Sequence, residues 1–178
     1  DFIWNEFCDW YIELVKPRLY GRMGDESKQS AQEVAAWVLR ETVVLLHPIM
    51  PFITEEIWQH LPHEGESIIV ASWPENAGGI NYQASYEAIE FLMDLIKGTR
   101  SLRHDMGIAT GKKSALQIHC HNDIQKAVIE AYSMQLGTLA YADQIDVIED
   151  MTEAEKQSVS TVVRGAEVIL PLKGVLDI

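Results

Sequence analysis

Apolar residues recur every three to four positions through much of the first hundred residues, and every second position in stretches of the last third, beginning near residue 114. No other feature constrains the fold as much. A repeat near 3.6 marks a helix with one buried face, and a repeat of two marks a half-buried strand. The early part must be helical, and the last third must contain a sheet.

The first helix is expected over residues 2–19, with Trp4, Phe7, Cys8, Tyr11, Leu14, Val15 and Leu19 on its inner stripe. Lys16-Pro17 should kink or close it, because proline removes a backbone donor and restricts the residue before it. Residues 21–26 form a loop. A second helix follows, capped by Ser27 or Ser30, with Ala31, Val34, Ala35, Val38, Leu39, Leu45 and Leu46 facing inward. Pro48 ends it, and Pro51 suits the first turn of a short third helix, where its missing N–H costs nothing. Thr54 is a weaker alternative cap. Phe52, Ile53, Ile57, Trp58 and Leu61 supply that helix's apolar face. Residues 62–80 read as a linker with one short strand, Ser67 to Ser72. A long helix then runs from Asn81 to about Asp105, with Tyr82, Tyr86, Ile89, Met93, Ile96 and Leu102 on its stripe.

Beyond it, Leu116, Ile118 and Cys120 alternate with Gln117, His119 and His121, which gives a strand. Asn122 should cap a helix over 123–136, with Gln125 completing a capping box and Gly137 stopping it. Strands are expected around Gln144–Ile148 and Val159–Val163, the latter turning at Arg164-Gly165 into Ala166–Leu170 as a hairpin. The expectation is an α+β chain, mainly α: an antiparallel helical bundle over 1–106 and a small α/β unit over 107–178.

At 178 residues such a chain buries roughly 70% of its unfolded surface, so it needs no disulfide staples. Cys8 and Cys120 are its two cysteines, which suits a reducing, cytoplasmic setting. No apolar run nears the ~18 residues of a membrane span. The opening DFIWNEFCDW has no basic leader and no initiator methionine, so a segment of a longer cytoplasmic polypeptide is expected. The formal net charge of −13 argues against nonspecific nucleic-acid binding, which needs clustered Lys and Arg. One local exception is Lys97, Arg100, Arg103, Lys112 and Lys113, set against Asp105 alone.

Several groups could carry chemistry. His119 and His121 share one face of a strand while Cys120 points to the other, so the three cannot close on one metal ion. His47, His60 and His63 flank a helix whose first turn holds Glu55 and Glu56, and capping explains them better than acid–base catalysis. There is no phosphate loop and no nucleophile elbow. Lys97, Arg100 and His104 share one face of the long helix, where a phosphate backbone could run or where cations simply meet the negative helix end. Of the tryptophans, Trp4 and Trp58 fall on core stripes, whereas Trp10 and Trp37 are candidates for exposure and base stacking.

The string HPIMPFITEEIW, preceded by FCDWYIE and followed by SIIVASWP, resembles the anticodon-binding region of class I aminoacyl-tRNA synthetases for valine, isoleucine and leucine. NEFCDWYIE and VILPLKGVLDI are similar to the valyl branch, the latter to the strand that leads into its C-terminal coiled-coil arm. IKGTRSLRHDMGIATGKK resembles the Arg-rich stretch of that branch, with departures at Asp105 and at Ala109 or Thr110. The resemblance covers essentially the whole chain. It implies a longer enzyme that uses ATP and magnesium to activate valine and attach it to tRNA. The HIGH and KMSKS strings of the catalytic core do not occur here, so the segment is expected to carry no cofactor and no activity alone. Its implied partners are the valine-specific tRNA, gripped at the anticodon stem-loop, and the remaining domains of the enzyme. Candidate tRNA-binding residues are Lys28 and Gln32 on the second helix and Arg100 and Arg103 on the long one. The alternatives are the same domain of an isoleucyl or leucyl enzyme, a helical protein–protein scaffold with an exposed apolar groove, and a small hydrolase joining His47 or His63 to a carboxylate.

Overall fold

The first helix begins with Phe2–Tyr11 wound as a π-helix, in which the Ile12 N–H reaches back to the Phe7 carbonyl. It tightens into α1, Ile12–Leu19. This computed structural model describes residues 1–75, 78–79 and 81–172. Chain packing divides them into two compact units, Asp1–Ile80 and Asn81–Ile178.

The wide π winding corrects the expected first stripe. Each residue turns through less than the 100° of an α-helix, so spacings of four and five align instead of three and four. Phe2, Phe7 and Tyr11 stack along one side, with ring centroids 6.4 and 5.4 Å apart. Trp4 is thrown outward and is 72% exposed. Pro17 lies inside α1, and the helix ends two residues later.

In the first unit α2, Asp25–Leu46, packs against both α1 and α3, Pro51–Gln59. Gly24 occupies the N-cap of α2, and no side chain caps it. Ser27 instead accepts a 2.9 Å hydrogen bond from Arg18 Nε, which corrects the expected cap. Val34 and Leu45 are exposed rather than inward, while Ala31, Thr42, Val43 and Val44 are buried. Pro51 does open α3 at its first position. Thr54 is not a cap: it is buried, and its hydroxyl meets the Met50 carbonyl and His47 Nδ1, both at 2.8 Å.

The small core of this unit is Trp58 with Val43, Val44 and Ile68. Phe52 and Ile53, expected beside Trp58, are exposed instead. The expected strand at 67–72 is a single 3₁₀ turn, Ile68–Val70. Without a neighbouring strand its backbone would go unpaired. It is held by Glu55, whose carboxylate accepts from Ser67 Oγ at 2.6 Å and from the Ile68 N–H at 3.2 Å.

In the second unit α4, Gln83–Asp105, packs on a four-stranded sheet. The strands are β1 (Ser114–His119), β2 (Ala142–Ile148), β3 (Ser158–Val163) and β4 (Ala166–Pro171), in the spatial order β2-β1-β4-β3. β1 and β2 are parallel, joined through α5 (Asp123–Ala131) and α6 (Ser133–Ala140), while β4 is antiparallel to both β1 and β3. The expected hairpin forms, with Arg164 and Gly165 both at positive φ as a two-residue turn requires. The Asn122 cap also forms, accepting from the Gln125 N–H at 2.9 Å.

Two expectations about helices in this unit are corrected. The buried face of α4 is Phe91, Leu92, Leu95, Ile96, Thr99 and Arg103, whereas Tyr82 and Tyr86 are exposed. The face is set by the sheet beneath: a Cβ on Gly98 would sit 2.6 Å from Val163 Cγ2, so the helix and β3 meet at that glycine. Gly137 does not stop the second helix. The helical run breaks at Tyr132 and is capped at Tyr141, left-handed at φ 57°, while Gly137 gives α6 its close approach to the Ala142 carbonyl. The long helix packs with the sheet, whereas the sequence pattern grouped 1–106 together.

Candidate RNA interface

Helix α2 starts immediately after the α1–α2 loop, with Lys28 at the end of its first turn and Gln32 at the end of its second. Gln32 is exposed and Lys28 half-buried, its stem lying over Gly21, where a Cβ would come within 3.9 Å of Lys28 Cδ. The surface can therefore present an ammonium and an amide one helical turn apart. Trp37 is exposed further along α2, as expected, and Trp4 and Trp73 add exposed rings in the same unit. Exposed aromatic faces can stack unpaired bases whatever their sequence. An apolar cavity of about 420 Å³ lies between Phe2, Ile3, Trp37, Val38, Leu45 and Leu46.

In the second unit, Arg100 and Arg103 turn out to have different environments. Arg100 is exposed; its Nε donates to the Leu139 carbonyl at 2.7 Å, and its guanidinium lies 5.7 Å from the Tyr141 ring centre. Arg103 is 3% exposed, which corrects its place among the candidate tRNA contacts. One amino group donates to Ser114 Oγ at 2.6 Å and to the Tyr141 carbonyl at 3.4 Å. The other donates to the Ala109 carbonyl at 3.1 Å and to the Lys112 carbonyl. Burial lowers the proton affinity of its guanidinium from the ordinary value, yet an arginine stays charged at any physiological pH. Such a group is tolerated inside because its donors are matched to acceptors.

The negative end of α4 needs no cationic cap. Met106, Gly107 and Ile108 return their N–H groups to the Leu102, His104 and Arg103 carbonyls, with Gly107 at φ 66°. This backbone closure satisfies the last carbonyls by itself. The exposed Lys112 and Lys113 in the following loop are therefore not explained as helix caps.

Three of the histidines each spend one ring nitrogen on a nearby group. His47 Nδ1 is occupied by Thr54, His60 Nδ1 by the Glu56 carbonyl and His63 Nδ1 by the Leu61 carbonyl, each at 2.8 Å. The Glu55 carboxyl is held below its ordinary range chiefly by the Ser67 hydroxyl, so it stays ionised as a structural tie. Among the described residues no group of three or more His, Cys, Asp or Glu could hold a metal ion. None of the described helices is long and apolar enough to cross a membrane. The final LKGVLDI segment, compared above with the approach to an arm, falls from residue 173 outside the described residues.

The first unit thus carries exposed aromatic rings and an exposed amide, groups able to meet unpaired bases. The chain belongs to the family described as the anticodon-binding domain of tRNA ligase, which matches residues 1–120. Over all 178 residues it is 40% identical to a valine–tRNA ligase of Halalkalibacterium halodurans. It is 39% identical to those of Anoxybacillus flavithermus and Geobacillus kaustophilus, again over 178 residues. Each match takes in 100% of this chain and 20% of the relative, so the chain spans about a fifth of the length of these curated relatives.

Proposed function

We propose that this chain is the part of a valine–tRNA ligase that grips the anticodon stem-loop of valine tRNA and so positions the tRNA for charging. The observation that carries this reading is the end-to-end identity of about 40% with valine–tRNA ligases. In this reading the helices of the first unit form an antiparallel bundle, Lys28 and Gln32 on α2 read the splayed loop, and Arg100 meets phosphate. The remainder of the enzyme, in the cytoplasm, supplies ATP and magnesium chemistry; these 178 residues hold neither catalytic string and should neither activate valine nor charge tRNA alone. Acidity is compatible with this role, since a flipped-out loop is held by stacking and base-edge hydrogen bonds and needs few placed cations.

A second reading, a helical docking scaffold, draws on the apolar cavity beside Trp37 and Leu45. Titration of anticodon stem-loop RNAs separates the two. A valine anticodon should bind more tightly than an isoleucine anticodon in the same stem, and Lys28→Ala with Gln32→Ala should erode that preference while leaving the salt slope largely unchanged. Equal affinity for both anticodons would remove the valine assignment. No binding at low salt would favour the scaffold.

A further inference from the structure

We propose that Arg103 is a positioning residue that holds a second RNA-binding surface in place, a basic corner made by Arg100, Lys112 and Lys113 that takes the sugar–phosphate backbone. The inference rests on the tRNA-binding reading and goes beyond the phosphate contact of Arg100 by adding Lys112 and Lys113 and the buried residue that holds all three.

The hydrogen bonds of Arg103 end on the segments around it. All four acceptors, the carbonyls of Ala109, Lys112 and Tyr141 and the hydroxyl of Ser114, belong to segments that carry or hold the three exposed cations. Ala109 and Lys112 belong to the loop bearing Lys112 and Lys113, which also closes through the Lys112 N–H to the Ala109 carbonyl at 3.1 Å. Tyr141 supports the Arg100 guanidinium, and its own ring lies 5.7 Å from both arginines. The Tyr141 carbonyl is held a second time by the Ser114 N–H at 3.3 Å, which fixes the left-handed residue to the start of β1. One buried guanidinium therefore sets the position of three charges at the surface.

Charge and exposure identify the ligand. Between Lys97 and Lys113 the chain holds five basic residues and one acid, Asp105, in a protein of net charge −13. Arg100 keeps its terminal amino groups at the surface, since only its Nε is taken by Leu139. The last carbonyls of α4 are met by backbone N–H groups and need no lysine to cap them. Spaced cations on a fixed loop, with no concave pocket needed, suit a polyanionic backbone in preference to a single small anion.

The test is the salt dependence of binding to a full-length valine tRNA transcript, because the slope counts neutralised phosphates, about 0.7–0.9 per contact. Lys112→Ala combined with Lys113→Ala should flatten the slope by about 1.5, and Arg100→Ala by somewhat less than one. Arg103→Met removes one charge that cannot reach solvent, yet should flatten the slope by about two, and Arg103→Lys should not restore it because an ammonium cannot span the four acceptors. A merely structural role for Arg103 would lower thermal stability and leave the slope unchanged, which would overturn the proposal. Should Arg103→Met fail to fold, the two lysine replacements on the exposed loop remain decisive: a wild-type slope there overturns the proposal. That result with tight wild-type binding would leave the anticodon reading standing, whereas absence of wild-type binding would remove both.

Discussion

Replacing Trp58 with alanine should remove most of what holds the first unit together. The indole is 4% exposed and packs on Val43, Val44 and Ile68, themselves 2–6% exposed, with Leu39, Ile57, Leu61 and Ala71 around them. A fully buried Trp-to-Ala change costs about 3–5 kcal/mol in transfer and cavity terms. The Nε1–H of Trp58 has no hydrogen-bond partner, so truncation breaks no hydrogen bond and the cost should fall near the lower end, about 3 kcal/mol. With a urea slope of about 2 kcal/mol/M, the midpoint should drop by about 1.5 M. All five tryptophans lie at or before Trp73, so fluorescence excited at the indole band follows the first unit alone. Trp37→Ala, at a side chain 55% exposed, should shift the midpoint by about a quarter of a molar or less. Equal shifts for the two variants would refute this placement of the core.

Other expectations follow from single contacts. Gly98→Ala should lower the melting temperature despite alanine's better helix propensity, because its Cβ would fall 2.6 Å from Val163 Cγ2; adding Val163→Ala, checked by the same melt, should reverse part of the loss. Glu55 has its carboxyl pKa lowered in the folded state by Ser67, Gln59 and the Ile68 N–H. Its contribution is therefore full above the ordinary glutamate value and disappears as pH falls through the lower folded one. A pH series of melts should show Glu55→Gln less stable than the parent at neutral pH, with the difference closing in acid. Asn122→Ala should cost about 1 kcal/mol by losing the cap to the Gln125 N–H, measured by urea denaturation followed through tyrosine.

What the sequence made legible was local. Pro51 at the start of α3, the Asn122 cap and the Arg164-Gly165 turn each depend on a few neighbouring residues, and each is found where its chemistry puts it. Strand β1 shows its alternation because one face is buried all along it. The misplaced features depend on distant partners. The π winding of Phe2–Tyr11 shifts the inner face without leaving a mark in the 3–4 spacing. Residues 67–72 have strand-like composition but find no strand to pair with, and become a turn tied to Glu55. The inner face of α4 is chosen by the sheet and by Gly98, not by the aromatic residues at its start. Arg103 stands among the candidate tRNA-binding residues because it lies in the Arg-rich stretch that resembles the valyl branch. Its burial follows from Ser114 and Tyr141, 11 and 38 residues away, and no spacing signals the left-handed Tyr141 that receives it. Gln32 and Arg100 are exposed and Lys28 half-buried, a placement that helical spacing makes legible, whereas what the three side chains touch is left to the binding experiments.

Hydroxyl-radical footprinting of a full-length valine tRNA transcript bound to the 178-residue chain tests the anticodon-gripping role most directly. Protection should map to the anticodon loop and the flanking stem backbone, with the acceptor end as reactive as in free tRNA, and should weaken when Lys28 and Gln32 are replaced. Protection centred on the acceptor end, or an anticodon loop that stays fully reactive under saturating protein, would contradict it.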